Sequence, residues 1–217
     1  GEEQQHYLNA TKYNCTPMNQ DDVNELITRL TKITNDPKNY PYIRHQKQQH
    51  GNIPLWVMMK ALTLGTVSKL YSFLPQSIQH NVSKEFEYVH EGMLVQMLDL
   101  LARVRNVCAH NERLFDYKYQ KGTIDDTYVH NALAIEKKKG QYIKGKNDLF
   151  AVVIVLKYLL SEEDFSSFVQ ELEKITEQLF LDTRVIEKLQ LYKYMGFTEN
   201  WFDIDACAKT GEKKISE

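Results

Sequence analysis

Apolar residues at helical spacing are the feature that most constrains the fold of this chain. The apolar residues between His90 and His110 fall on one broad face of a helix: Leu94, Met97, Leu98, Leu101, Val104 and Cys108. The same period recurs in residues 19–36 and 161–181. Glycine (9) and proline (5) are scarce in the 217 residues, which disfavours a turn-rich β fold. The sequence therefore predicts an all-α bundle of five to seven helices.

Proline and glycine divide the first half of the chain. Residues 39–54 contain Pro41, Gly51 and Pro54 and are predicted to form a loop. Residues 55–74 are apolar nearly all round and are predicted to form one central helix. The longest apolar run, residues 149–160, is shorter than a membrane span and is interrupted by a lysine. We expect it to be a buried helix, and we expect no membrane association.

The second half of the chain is predicted to contain two further helices. Residues 161–181 are expected to be capped by Ser161. Residues 182–197 follow, capped by Asp182 and closed by Gly196. The buried stripe predicted for residues 161–181 consists of Phe165, Phe168, Val169, Leu172, Ile175 and Leu179.

These patterns suggest one helical domain with two appendages. We expect residues 1–18 to be irregular, residues 19–201 to form the domain, and residues 202–217 to form a flexible tail. Within the domain, residues 115–146 are rich in tyrosine and lysine and have no clear period. They are predicted to form a long, inserted basic loop.

Cysteine usage and charge limit the function classes. The three cysteines (Cys15, Cys108 and Cys207) are odd in number and widely spaced. They argue against a disulfide framework or a zinc site and indicate a reducing compartment, so a cytoplasmic protein is expected. The net charge of -2 gives no support to nucleic-acid binding by the chain as a whole, although an enzyme can use a local basic cleft.

The stretch RVRNVCAHNERLFD, residues 103–116, ends the leucine-rich helical sequence and allows two interpretations. Its cations can simply complement the negative end of the helix dipole. Alternatively, Arg105 and His110 can belong to one site. On an ideal helix these two residues point about 140° apart, whereas Asn106 and His110 share a face. A site containing both requires that the helix end before His110 or that another chain complete the cleft.

The chemistry available to such a group is metal-free cleavage of a phosphodiester. A histidine can transfer a proton at neutral pH. A guanidinium can hold a phosphate and stabilise the charge that gathers on its oxygens. RNA supplies its own nucleophile in the 2′-OH, which DNA lacks.

Three sequence pieces resemble the Abi_2 (AbiD/AbiF-like) family of bacterial abortive-infection proteins. They are IPLWVMMKALTLGTVSKLYSFL, LLARVRNVCAHNERLFD and the closing YMGFTENW. The resemblance runs from about residue 50 to residue 201, with the upstream part of the family expected to be absent or divergent. The first piece supplies the residues that match the family's first motif: Trp56, Leu64, Gly65, Ser68, Leu70 and Tyr71.

The Abi_2 resemblance implies membership of the HEPN superfamily, whose members are similar in being helical bundles with an R-x(4–6)-H motif. That motif implies a metal-independent endoribonuclease, commonly a homodimer in which two motifs face each other. Arg105 and His110 match it as catalytic residues, with Asn106 as the polar residue after the arginine. Arg103 also fits the spacing; we prefer Arg105 because Asn106 follows it. No cofactor is implied, and the target is RNA.

Other basic residues are candidates for RNA contacts. Arg113 is interpreted mainly as a structural ion-pair residue, with a phosphate contact as the alternative. The inserted loop offers five lysines and a tyrosine that could stack on a base. These lysines are Lys137, Lys138, Lys139, Lys144 and Lys146. An antitoxin or non-coding RNA is a candidate further partner. The rival hypothesis is a non-catalytic HEPN-like module that binds an RNA or protein partner.

Overall fold

The chain is mostly helical in the computed structural model, which describes residues 6–36, 38–120, 122–183 and 187–209. The predicted all-α class is confirmed, with ten α-helices in these ranges. The helices are α1 (Gln20–Asn35), α2 (Pro41–His50), α3 (Leu55–Met59), α4 (Leu64–Phe73), α5 (Gln76–Ser83), α6 (Glu91–Ala109), α7 (Tyr128–Ala132), α8 (Leu149–Leu159), α9 (Glu162–Thr183) and α10 (Lys188–Met195). Two short antiparallel strands, β1 (Lys137–Lys138) and β2 (Gln141–Tyr142), form a hairpin.

The chain divides into two compact units, residues 1–82 and 83–217. In the first unit α1 contacts α4, and α2 contacts α3. The predicted apolar face of α1 is buried: Val23, Leu26, Leu30 and Ile33. These side chains share a core with Ile43 of α2 and with Val57 and Met58 of α3. The core explains why the periodic residues of α1 form a helix, since burial of one apolar stripe stabilises it.

The loop predicted for residues 39–54 is wrong, because most of it forms α2. Pro41 stands at the first helical position, and Gly51 closes the helix with a φ of 68°. Proline favours that first position and glycine favours a left-handed closing residue, so the residues taken as loop signals bound a helix. The single helix predicted for residues 55–74 is also wrong. It is split into α3 and α4, and the Thr63 side chain accepts a hydrogen bond from Thr66 N–H to begin α4.

In the second unit α8 is the most buried helix and contacts both α6 and α9. Nearly every residue from Phe150 to Tyr158 is buried, as expected of its apolar sequence. The buried face of α6 differs slightly from its prediction. Val107 is buried and Cys108 is exposed, because the helix turns a slightly different side to the core.

The stripe predicted for α9 is only partly buried. Ser161 caps the helix as expected, and Phe165 and Val169 are buried. Ile175 and Leu179 are exposed and line an apolar groove of about 740 Å³ together with Phe115 and other side chains. The last helix does not begin after Asp182 as predicted, because α9 continues through Thr183 and α10 begins at Lys188. Gly196 closes α10 with a φ of 79°, as predicted, and residues 184–186 lie outside the described ranges.

The inserted segment 115–146 contains α7 and the hairpin, and a buried polar network holds it. His130 is fully buried; its Nδ1 accepts from Thr127 N–H, and its Nε2 donates to the Gly145 carbonyl at 2.9 Å. Asp148, at the start of α8, accepts hydrogen bonds from the N–H groups of Gly145 and Ala151. Burial lowers the pKa of His130 and raises that of Asp148.

Residues 202–209 are the described part of the segment predicted as a tail. Ile204 is fully buried, and Lys157 donates from Nζ to the Asp205 carbonyl at 3.0 Å. Tyr158 donates from its hydroxyl to the Lys209 carbonyl at 2.8 Å. Residues 210–217 lie outside the described ranges.

Candidate functional site

The last turn of α6 ends in a Schellman motif. α6 runs to Ala109, and His110 is its closing residue. Asn111 has a φ of 54°, and its N–H donates to Cys108 O at 3.2 Å. Glu112 N–H donates to Val107 O at 3.0 Å. This pair of bonds satisfies carbonyls that the helix end would leave free, and asparagine is among the few residues other than glycine that adopt the left-handed conformation.

The structure relates Arg105, Asn106 and His110 to one another through the backbone of this turn. His110 N–H donates to Asn106 O at 2.9 Å, so the histidine keeps the helical position one turn beyond the asparagine. The Arg105 guanidinium donates from Nη1 to Asn106 Oδ1 at 3.2 Å. Asn106 therefore stands between the other two residues, while Arg105 and His110 make no direct hydrogen bond.

All three of these side chains are exposed to solvent. Within the described part of the chain, the His110 imidazole makes no hydrogen bond or ion pair. A solvent-facing arginine, amide and imidazole are accessible to a phosphate, and the bond between Arg105 and Asn106 uses only one of the guanidinium nitrogens. Arg105 can supply up to two parallel N–H donors to phosphate oxygens, and the imidazole can exchange a proton.

Arg103 lies in a different environment. Its Nε donates to Asp99 Oδ2 at 3.1 Å, and its guanidinium lies 5.4 Å from the centre of the Tyr119 ring. The Tyr119 hydroxyl donates to the same carboxylate oxygen. Burial, followed by the hydrogen bond to Asp99, raises the pKa of Tyr119. Arg103 is thus held within a local network that joins α6 to the segment after it.

Arg113 is also engaged internally. Its Nε and Nη2 donate to the two carboxylate oxygens of Asp116 at 2.9 and 2.6 Å, and its guanidinium lies 5.4 Å from the Phe115 ring centre. This bidentate pair fits the structural interpretation that the sequence suggested. Because the Arg113 side chain is 70% exposed, a phosphate can still reach the outer face of the guanidinium.

The five candidate lysines of the inserted segment fall into two groups. Lys144 donates to the Phe197 carbonyl at 2.7 Å, and Lys146 pairs with Asp126 at 2.6 Å. The other three lysines are exposed on the hairpin: Lys137, Lys138 and Lys139. Tyr142, the candidate for stacking on a base, already stacks on His130 at 4.9 Å, with the Lys137 ammonium 4.1 Å from its ring centre.

The first family motif lies in unit 1 and serves mostly to form the core. Ser68, Leu70 and Tyr71 are buried in α4, and the Tyr71 hydroxyl donates to the Gln79 carbonyl at 3.0 Å. Trp56 differs, because 63% of its surface is exposed.

The described residues form neither a metal-binding cluster nor a membrane-spanning helix. They contain no group of three or more His, Cys, Asp or Glu side chains arranged to hold a metal ion. None of the helices in these ranges has both the length and the apolar character needed to cross a bilayer.

Comparison with known families matches residues 2–116 to the family described as Abi-like protein (Abi_2). The chain belongs to the Abi-like protein family. The matched range covers more than half of the chain and ends at Asp116, so it includes the whole last turn of α6. Membership of the Abi-like family implies a role in abortive infection. No curated protein and no solved structure matches the chain.

The family match extends the resemblance upstream. It begins at residue 2, so residues 2–49 match the Abi-like pattern too. The YMGFTENW piece lies beyond the matched range.

Sequence reasoning missed two residues that shape the site. Asp99, four residues before Arg103, is spaced for a helical ion pair, and this spacing was the available signal. Asn111 directly follows the histidine at a helix end, where asparagine often adopts the left-handed conformation.

Proposed function

We propose that this protein is a metal-independent endoribonuclease of the HEPN type that acts in abortive infection. The observation that carries the proposal is the exposed Arg105–Asn106 pair one turn before His110, whose exposed imidazole has no partner among the described residues. Membership of the Abi-like family supports the biological role. The helical fold is consistent with the HEPN superfamily.

In the proposed reaction the 2′-oxygen of a ribose attacks the adjacent phosphorus, and the bond from phosphorus to the 5′-oxygen breaks. A base removes the proton of the 2′-OH, and an acid protonates the departing 5′-oxygen. The products are a 2′,3′-cyclic phosphate and a 5′-OH end. Arg105 holds the phosphoryl oxygens as charge gathers on them, and Asn106 orients the guanidinium through its hydrogen bond.

This reaction requires two proton transfers, and each chain supplies one histidine at this turn. His110 can act as base or acid but starts each turnover in only one protonation state. A second copy that presents its own His110 would supply the other group. We therefore propose a homodimer with a composite site, in which two copies of the last turn of α6 face the same phosphate.

Arg103 is less suited to the phosphate-binding role. Its guanidinium already bonds Asp99 and covers Tyr119. A phosphate would compete with both of these partners, whereas Arg105 can keep its bond from Nη1 to Asn106 while its other N–H groups meet a phosphate. The environments of the two arginines support Arg105 as the functional one.

The three exposed lysines of the hairpin, with Arg113, are proposed as secondary RNA contacts. Lys144 and Lys146 belong to the same proposal, although both already bond within the chain. An antitoxin or non-coding RNA remains a proposed partner.

The test uses end-labelled RNA with the purified chain in the presence of EDTA. Wild-type protein is expected to produce 2′,3′-cyclic phosphate ends, and His110→Ala is expected to lower the rate at least about a hundredfold. Arg105→Ala should have a comparable effect. His6→Ala, which removes another exposed histidine, is the control. An RNA with a 2′-deoxy sugar at the cleaved position should not be cleaved, because it lacks the attacking 2′-OH.

The rival function is a non-catalytic HEPN-like module. It would be favoured if wild-type protein leaves the RNA intact, as the His110→Ala and Arg105→Ala variants do. Equal cleavage by all three chains would instead exclude this turn as the catalytic site.

A further inference from the structure

One stretch of unit 1 carries positive charge with no acidic residue to offset it. No Asp or Glu occurs from residue 37 to the end of this unit at residue 82, whereas five Lys or Arg residues do. The whole chain has a net charge of -2, so its charges are strongly segregated. A basic stretch in a chain of this kind points to a polyanionic partner rather than to a general effect on solubility.

Most of these cations are free to meet a ligand. Lys69 is the exception, because it pairs with Asp22 and Glu25. The others in the described part of unit 1 are exposed and have no ion pair with any described residue: Lys38, Arg44, Lys47 and Lys60. These positive charges therefore face solvent and are not neutralised by ion pairs with described residues.

α2 presents much of this charge. Of its ten residues only Ile43 is buried, so packing dictates little of its sequence. The exposed residues include Arg44, Lys47 and two histidines, with glutamines between them. Surface helices ordinarily mix charges of both signs, which form stabilising pairs along the helix. α2 lacks such pairs, because its charged residues are all positive.

α3 contacts α2 and adds an exposed aromatic ring. Trp56 is 63% exposed, whereas the other tryptophan, Trp201, is fully buried. The Lys60 ammonium lies 5.5 Å from the centre of the Trp56 ring. A large exposed ring beside a cation is the arrangement by which proteins stack a base and bind its neighbouring phosphate without reading sequence.

We propose that α2 and α3 form a binding surface for single-stranded RNA. Arg44, Lys47 and Lys60 contact phosphates, and Trp56 stacks on a base. This inference rests on the proposed function for the choice of RNA as the nucleic acid, but the binding does not depend on cleavage. A bilayer surface is disfavoured because Ile43, the aliphatic residue of α2, faces the core, which leaves this helix no exposed aliphatic stripe to insert.

The experiment measures the binding of a short oligouridylate to the full chain carrying His110→Ala, so that the RNA stays intact. Quenching of tryptophan fluorescence reports on Trp56, because Trp201 is buried. The triple variant R44Q/K47Q/K60Q is expected to bind at least about tenfold more weakly near 0.1 M salt. The slope of log affinity against log salt should decrease by about 2, for three lost phosphate contacts.

A matched control separates a specific surface from net charge. K12Q/K174Q/K193Q removes the same charge from other exposed positions and should change the affinity less than about twofold. Trp56→Ala should weaken binding about tenfold, while Trp56→Phe should retain part of the affinity because a ring remains. Trp56 is exposed, so neither change should alter thermal unfolding appreciably.

The inference is overturned if both triple variants weaken binding equally, or if RNA binds without quenching the tryptophan signal. Binding to phosphatidylserine vesicles without binding to the oligouridylate would also overturn it, in favour of a membrane surface. Its failure is distinct from that of the proposed function. Wild-type protein that cleaves RNA while the R44Q/K47Q/K60Q variant binds normally refutes only the surface. A chain that binds through α2 and α3 but never cleaves refutes only the nuclease.

Discussion

Arg103 and Asp99 form an ion pair one turn apart on α6, with Arg103 Nε 3.1 Å from Asp99 Oδ2. The Arg105 side chain, two residues further on, bonds to the neighbouring Asn106 and to no other residue that the structure describes. This contrast predicts that the two arginines have separable roles. Arg103→Gln should lower the free energy of unfolding by about 1 kcal/mol, because it loses a half-exposed ion pair and a ring contact.

Arg105→Gln should impair RNA cleavage and leave stability nearly unchanged. Its stability should stay within about 0.5 kcal/mol of wild type, since the side chain is exposed, while RNA cleavage falls at least about a hundredfold. Denaturant unfolding and cleavage rates per folded molecule check both variants. If Arg103→Gln abolished cleavage at full stability and Arg105→Gln did not, the assignment of the functional arginine would be reversed.

The Schellman motif predicts how the end of α6 tolerates substitution at Asn111. Asn111→Gly should preserve or slightly raise stability, because glycine adopts a φ of 54° without strain. Asn111→Val should cost about 1–2 kcal/mol, since a β-branched residue is strained in that conformation. The valine variant should also lower the cleavage rate by moving His110. Equal unfolding midpoints for both variants would contradict the left-handed conformation of residue 111 on which the motif depends.

A dimeric composite site predicts that activity depends on concentration. On dilution, the cleavage rate per chain should fall in parallel with the dimer fraction measured by analytical ultracentrifugation. A rate per chain that stays constant while the protein is monomeric would exclude a site shared by two copies. His110→Ala should dimerise as wild type does, which separates loss of assembly from loss of chemistry.

His130 predicts a loss of stability at mildly acidic pH. Burial lowers its pKa below the ordinary value of 6.5, so below about pH 6.5 the unfolded chain binds a proton that the folded chain does not. Stability therefore falls as the pH falls through this range, by up to about 1.4 kcal/mol per pH unit. Urea unfolding at several pH values between 7.5 and 5 measures the slope.

His130→Gln should flatten that slope, whereas His45→Gln, at an exposed position, should not. Burial raises the pKa of Asp148, which gives a dependence of the opposite sign. Asp148 is present in every chain compared, so the difference between variants isolates the histidine. A slope unchanged in His130→Gln would show that the buried imidazole takes no part in acid destabilisation.

Gly196 and Gly140 offer a matched pair for backbone and steric effects. Both have a positive φ, of 79° and 82°. A Cβ on Gly196 would overlap the Asp148 carboxylate, whereas one on Gly140 would meet open space. Gly140→Ala should cost about 1–2 kcal/mol through strain alone. Gly196→Ala should cost at least about 2 kcal/mol more, because a buried carboxylate must move.

The sequence predicted the helices that bury a stripe of their own. α1 and α8 were found because an apolar period or an apolar run reports burial directly. α2 was missed because it buries only Ile43 and has no period to detect. The buried stripe predicted for α9 wrongly included Ile175 and Leu179. A helical period shows that two residues share a face but does not show whether another element covers that face. The break between α3 and α4 depends on a threonine cap within an apolar run, where periodicity gives no signal.

The candidate site was predictable in composition but not in environment. The spacing of Arg105, Asn106 and His110 was visible in the sequence, including the angle that separates the arginine from the histidine. The pairing of Arg103 with Asp99 could have been predicted from their spacing, but the contacts of both residues with Tyr119 depend on the fold of the segment after α6, which had no recognisable pattern. The five lysines looked alike in the sequence, and only tertiary contacts distinguish Lys144 and Lys146 from the rest.

Because the His110 amide donates to Asn106 O, the residue proposed for proton transfer also ends the hydrogen-bond ladder of α6. Helix ends fray, and amide hydrogen exchange measures how often they open. When the last turn opens, His110 loses its fixed position relative to Asn106. The exchange rate at this single amide is therefore a gauge of how long the proposed catalytic turn stays assembled, readable in the resting protein without RNA.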